Sequence, residues 1–257
     1  MSLPPGFCYG NRRQAYLTKR IMDLLTILGL GLILGLKHAT EVDHVVAVST
    51  IVSQHRNVLR SALVGALWGI GHTASLLVIG LIVLSLRVAI PEQVSTWLEF
   101  CVALMIIGLG AVALWRSLRK REHVHVHEHN HDGVSHVHIH FHEPETRHHE
   151  GKAHSHAVSA VGIKPVLIGT MHGLAGSGAL MLLVLTQTSS GLVGFFYLVV
   201  FGVGSIVGMV LMSGLIGLPF ALTSRNLDRV NRHLQTAAAV LSIAFGVWYA
   251  YETALAS

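Results

Sequence analysis

The chain has 257 residues, 52% hydrophobic and only 12% charged, with a mean hydropathy of +0.59. A soluble domain normally carries about twice that share of charge, so the bulk of this chain belongs in lipid and its first partner is the bilayer. A net charge of +5 would raise the question of nucleic acid in a soluble protein; here it matches the Lys and Arg excess of cytoplasmic loops, and no nucleic-acid partner is expected.

In chain order, an N-terminal tail (1–20) with Arg12, Arg13, Lys19 and Arg20 precedes the first apolar run. It imitates the start of a signal peptide, but no small-residue cleavage pattern follows Leu36, so the segment is expected to stay in the mature protein. Apolar runs that meet the roughly 20-residue requirement of a membrane helix fall at 21–53, 61–86, 94–117, 163–187, 191–222 and 234–252. The polar stretch between the third and fourth divides the chain into a first three-helix half (21–118), a His-rich loop (119–160) and a second three-helix half (161–257). Cys8 and Cys101 are too far apart in sequence and setting to suggest a disulfide framework or a thiolate site.

The halves share a weak internal similarity. Gly35-Leu36-Lys37-His38 aligns with Gly169-Thr170-Met171-His172 at an offset of 134, and Trp68-Gly69-Ile70-Gly71-His72 aligns with Phe201-Gly202-Val203-Gly204-Ser205 at 133. Three spans per half reverse the second half in the membrane, so the expected fold is an all-α membrane protein of about six transmembrane helices. They would form a 3+3 inverted repeat whose binding site lies at the pseudo-symmetry axis. Ser177, Gly178 and Ser205 stand where the first half has Asp43, His44 and His72, so the first half supplies most ligands.

Arg56 and Arg60, then Arg116, Arg119, Lys120 and Arg121, then Arg225, Arg229 and Arg232 occupy alternate loops, which the positive-inside rule assigns to the cytoplasm. Six simple crossings would leave the basic N-terminus outside. A first segment of 33 residues folded as a re-entrant pair would bring both ends inside, and the sequence leaves these two arrangements open.

Residues 37–44 read Lys-His-Ala-Thr-Glu-Val-Asp-His, five ionisable groups in eight positions of an apolar segment. Each charge near the bilayer centre costs about 2.5–3.5 kcal/mol on insertion scales, so the group needs partners. Imidazole and carboxylate suit nickel, cobalt, zinc or iron rather than calcium. At 100° per residue His38, Glu41 and His44 share an arc of about 120° while Asp43 points elsewhere; no straight helix brings all four to one ion, and a broken first segment is expected. The competing reading is an interfacial cap, salt-bridged through Lys37. His72 and His172 lie within otherwise uncharged spans; a lone buried His is more often hydrogen-bonded structure, but His172 is the repeat mate of His38. The metal-ligand set expected is therefore His38, Asp43, His44, His72 and His172, with Glu41 behind them or at the mouth.

Thirteen of the 19 histidines lie between His123 and His156. A turn at Asp132-Gly133 would set His129 opposite His136, His127 opposite His138, His125 opposite His140 and His123 opposite His142, with His131 beside the turn. One reading is a β-hairpin with an imidazole ladder on one face and Val124, Val126, Ile139 and Phe141 on the other. The other is a flexible metal-buffering tract. Either would take up borderline metals as an auxiliary site.

His38-Ala39-Thr40-Glu41-Val42-Asp43-His44 resembles the signature His-Ala-x-Asp-Ala-Asp-His of the nickel/cobalt transporter family, with Glu for Asp at 41 and Val for Ala at 42. Ile70-Gly71-His72-Thr73 is similar to that family's second motif. Gly169-Thr170-Met171-His172-Gly173-Leu174-Ala175-Gly176-Ser177-Gly178 looks like its shorter nickel-transporter or urease-accessory-like membrane branch. The resemblance implies permeation of Ni2+ or Co2+ through His38, Asp43 and His44. The ion is cargo, no permanent cofactor is implied, and nickel-enzyme maturation proteins would be partners. It also implies a multi-pass protein of the plasma or inner membrane, with the His-rich loop cytoplasmic.

No phosphate-binding Gly-x4-Gly-Lys-Ser/Thr loop occurs, so uptake driven by the membrane potential is the leading function, and the chain is not read as an enzyme. Efflux of Ni2+, Co2+ or Zn2+ is the alternative. From other classes stand a rhomboid-like intramembrane hydrolase using Ser177, although Ala175 breaks its Gly-x-Ser-Gly pattern, and a metal-storage or chaperone membrane protein.

Overall fold

The structure, a computed structural model, describes residues 7–86, 90–119, 124–131, 134–141, 162–175 and 191–255. Among the described residues seven helices run in chain order: α1 (Phe7–His38), α2 (Val42–Val52), α3 (Val58–Leu86), α4 (Glu92–Arg119), α5 (Lys164–Ala175), α6 (Gly191–Asn226) and α7 (Asp228–Leu255). Between α4 and α5 lie the strands β1 (Val124–His131) and β2 (Val134–Phe141). They pair antiparallel with His125 across from His140, His127 from His138 and His129 from His136. His123, His142 and the Asp132-Gly133 turn lie outside the described residues.

Among the described residues α3, α4, α6 over Gly191–Ser224 and α7 are each long and apolar enough to cross a membrane, and the bent pair α1–α2 raises the number to five. The fourth expected span is helical over Lys164–Ala175, and its remainder falls outside the described residues. Within the expected N-terminal tail, residues 7–20 are helical and run on into α1; the Arg, Gln, Ala and Leu residues there favour helix. The helices bury Trp68, Val48, Ile106 and Met209 inside while Leu81, Ile82, Leu211, Leu215 and Trp248 face outward. In water that exterior would be an association hazard; in lipid it costs nothing.

α3 lies at the centre, packed on α5 and α6; α1 packs on α6, and α4 on α7. Glycine sets these approaches. A Cβ on Gly35 would collide with the Phe201 carbonyl, and one on Gly169 with the Trp68 carbonyl. Likewise Gly71 faces the Val166 carbonyl and Gly204 the Leu32 carbonyl. Each pair of contacts is the other displaced by 133 or 134 residues, so the α1–α6 and α5–α3 interfaces are built alike. Close backbone approach through small residues is how helices associate where the hydrophobic effect gives no drive.

Polar bonds gather three connections at one end of the bundle. Arg116 Nη1 donates to Gln54 Oε1, Gln235 Nε2 donates to the Ser53 carbonyl at 2.9 Å, and the Ser117 and Thr236 hydroxyls meet at 2.8 Å. The loop after α2, the end of α4 and the start of α7, each carrying basic residues, therefore share one side.

Candidate metal centre

The centre begins where α1 fails. The last α-type bond of that helix, Ala39 N–H to the Gly35 carbonyl, is stretched to 3.3 Å. The turn then tightens, with Thr40 N–H on Lys37 O at 2.9 Å and Glu41 N–H on His38 O at 3.1 Å, the shorter repeat by which helix ends satisfy stray carbonyls. The Thr40 hydroxyl adds a 2.6 Å bond to the Lys37 carbonyl. Glu41 is extended (φ −63°, ψ 148°) and starts α2. The two helical pieces, Leu25–His38 and Val42–Val52, are bent by 53°. The break brings Asp43 into the cluster with His38 and His44, whereas an unbroken helix would point it elsewhere. Asp43 sits in the first turn of α2, where a carboxylate is favoured by the helix dipole, and accepts the His44 backbone N–H at 2.9 Å.

Four histidines from four helices meet there: His38 ends α1, His44 opens α2, His72 is mid-α3 and His172 lies in α5. All four are buried, between 0% and 5% exposed. His38 Nε2 and His72 Nε2 are 3.0 Å apart. Asp43 Oδ1 accepts from His44 Nδ1 at 2.9 Å and Oδ2 from His172 Nε2 at 2.7 Å. The His44 ring is 4.4 Å from His38 and 4.2 Å from His172, centroid to centroid. Among the described residues two sets of ligand atoms lie within 4.8 Å of one another: His38, His44, His72, and Asp43, His44, His172. Glu41 stands differently: its side chain is half exposed, and it accepts from His38 Nδ1 at 2.9 Å, as carboxylates behind metal-binding imidazoles do. Lys37 is exposed, and the ion pair found for Glu41 is with His38, which disfavours the cap reading.

The donor chemistry fits a borderline divalent ion. His44 Nε2, His72 Nδ1 and His172 Nδ1 are buried without a hydrogen-bond partner. Leaving a buried polar atom unmatched costs about 1–3 kcal/mol, and unmatched imidazole nitrogens are the donors that a borderline cation takes. Trp68 lies 5.5 Å from His172 and Phe201 5.5 Å from His38, ring to ring. Trp68 and Phe201 occupy aligned positions of the internal sequence similarity. The sequence alignment already paired them, but nothing in the sequence marked them as neighbours of the histidines. Ser205, aligned with His72, is fully buried and its hydroxyl has no partner among the described residues. Ser177 and Gly178 lie outside the described residues.

Over 238 residues the chain is 39% identical to the urease accessory protein UreH of Bacillus sp. (strain TB-90), an alignment covering 90% of this chain and 93% of that one. The chain belongs to the UreH family. Two chloroplast proteins of Arabidopsis thaliana are more distantly similar to this UreH-family chain: FOR GROWTH AND FERTILITY 2 at 26% identity over 88% of it, and FOR GROWTH AND FERTILITY 1 at 25% over 95%. The chain spans 56% and 62% of their respective lengths. No family profile and no solved structure matches it. An alignment along nine-tenths of the chain is a likeness of the whole chain rather than of one motif.

Proposed function

We propose that this UreH-family chain carries Ni2+ or Co2+ inward across the cell membrane, with His38, Asp43, His44, His72 and His172 as the ligands met on the way and Glu41 orienting His38. The observation that carries the reading is the convergence of four buried imidazoles and one carboxylate, from four separate helices, within apolar segments. A divalent ion held by neutral imidazoles and a single carboxylate keeps one net positive charge. The residual desolvation cost is thus reduced but not removed, which permits binding without trapping. The membrane potential supplies about 2.3 kcal/mol per charge per 100 mV, hence about twice that for a divalent ion moving inward.

The matched glycine contacts and the two aromatic walls support a 3+3 inverted repeat with the ion at its axis, domain limits near 20, 118 and 160, and a re-entrant α1–α2 pair. The shared side of the three basic connections supports a cytoplasmic placement for that end and for the His-rich loop, where the cross-strand histidines would receive the imported ion. The relative's name, a urease accessory protein, supports delivery to nickel-enzyme maturation. The test is flux of nickel, cobalt and zinc in proteoliposomes under defined potential and pH gradients. Inward nickel or cobalt flux is expected, abolished in His38→Ala and His44→Ala; full flux in both variants would overturn the assignment.

A further inference from the structure

The five ligands do not form one shell but two overlapping triads that share His44. Asp43, as a carboxylate, accepts from His44 Nδ1 and from His172 Nε2, so both nitrogens carry protons. Glu41 takes the Nδ1 proton of His38, which leaves His38 Nε2 to accept from His72 Nε2. This chain of tautomers accounts for the three buried ring nitrogens without partners: His44 Nε2, His72 Nδ1 and His172 Nδ1 are the lone pairs it leaves over. A neutral imidazole has one lone pair. His44 can therefore bind an ion through the edge that faces Asp43 or through the opposite edge, and holding both would require an imidazolate in a buried setting.

We infer that the cluster is a pair of alternative stations for one ion, a carboxylate station of Asp43, His44 and His172 and an all-imidazole station of His38, His44 and His72, with His44 as the ligand common to both. The inference rests on the transport reading above and assigns its internal step. At the carboxylate station charge attracts the ion; at the all-imidazole station only nitrogen donors hold it, which suits nickel, cobalt and zinc and discriminates against magnesium and calcium. The two stations exclude one another because a neutral His44 ring offers one lone pair at a time.

The test uses the purified full-length protein and Co2+ as probe, reading visible ligand-field absorption and bound-metal stoichiometry, with His44→Ala subtracted to remove whatever the His-rich loop binds. Flux is measured on the same preparations in liposomes. One ion above the His44→Ala baseline is expected for the unaltered chain. His72→Ala and His172→Ala are each expected to retain one ion with mutually different spectra, while their flux falls at least 100-fold. His72→Gln and His172→Gln, closer in volume, repeat the comparison if either alanine variant fails to fold. Loss of the ion in both variants, or an unchanged spectrum in both, means one joint site and overturns the two-station inference; so do two ions bound at once. A single joint site with normal cobalt flux refutes the stations and leaves transport standing, whereas split spectra with no flux in the unaltered chain refute transport instead.

Discussion

Replacing Asp43 with Asn separates charge from shape. Asparagine fills the same volume and keeps one carbonyl oxygen for the His44 backbone N–H, so the break between α1 and α2 should survive. What disappears is the negative charge between His44 Nδ1 and His172 Nε2, 2.9 and 2.7 Å from the carboxylate oxygens. At 4 Å and an effective dielectric constant of about 20, a unit pair is worth about 4 kcal/mol, hence about 8 kcal/mol against a divalent ion. Asp43 is partly open to solvent, and screening should cut this by half or more, to about 3–4 kcal/mol or two to three decades in affinity. Labelled nickel or cobalt uptake, measured against concentration at matched membrane abundance, should show that loss in Asp43→Asn. Glu41→Gln, which alters a half-exposed group paired with His38, should cost less than tenfold. The reasoning is refuted if Asp43→Asn stays within threefold of the unaltered chain, or if Glu41→Gln is equally severe.

Gly35→Ala and Gly169→Ala should behave as a matched pair, each driving a methyl into a facing carbonyl; overpacking of about 1–3 kcal/mol should lower the thermal unfolding midpoint in detergent by several degrees, and an unchanged midpoint in both would contradict the packing. Thr50→Val removes a buried 2.8 Å bond to the Ser242 hydroxyl, so a smaller loss of about 0.6 kcal/mol is expected from unfolding measurements, with flux retained. Deleting residues 122–156 should weaken apparent affinity for metal but leave flux, whereas complete loss of flux would give the loop the transport role. Imidazoles bind metal only when neutral, so metal retained by the loop should be full above about pH 6.5 and lost below it, checked by chelator competition between pH 5 and 8 with the deletion variant as control.

Much of the centre was legible because charge in an apolar segment demands a partner. Residues 37–44 stand out on that ground, and the 100° step of a helix alone calls for a break there. The repeat offset singled out His172 as the mate of His38. Where α1 begins was not legible, since hydropathy marks where lipid begins and not where helix begins: residues 7–20 carry four basic residues and are still helical.

By itself, then, the sequence determined that the chain lives in lipid, that its metal-type ligands are imidazole and carboxylate, and which residues are candidates. Those properties are local or compositional, and every residue carries them wherever the chain goes. Only the tertiary structure decided that Asp43 reaches across 129 positions to His172 rather than to Lys37, that His38 meets His72, and that Trp68 and Phe201 wall the cluster. Those contacts depend on how closely α1 approaches α6 and α5 approaches α3. That distance is fixed by glycines facing carbonyls, a relation between helices that no spacing along one of them contains.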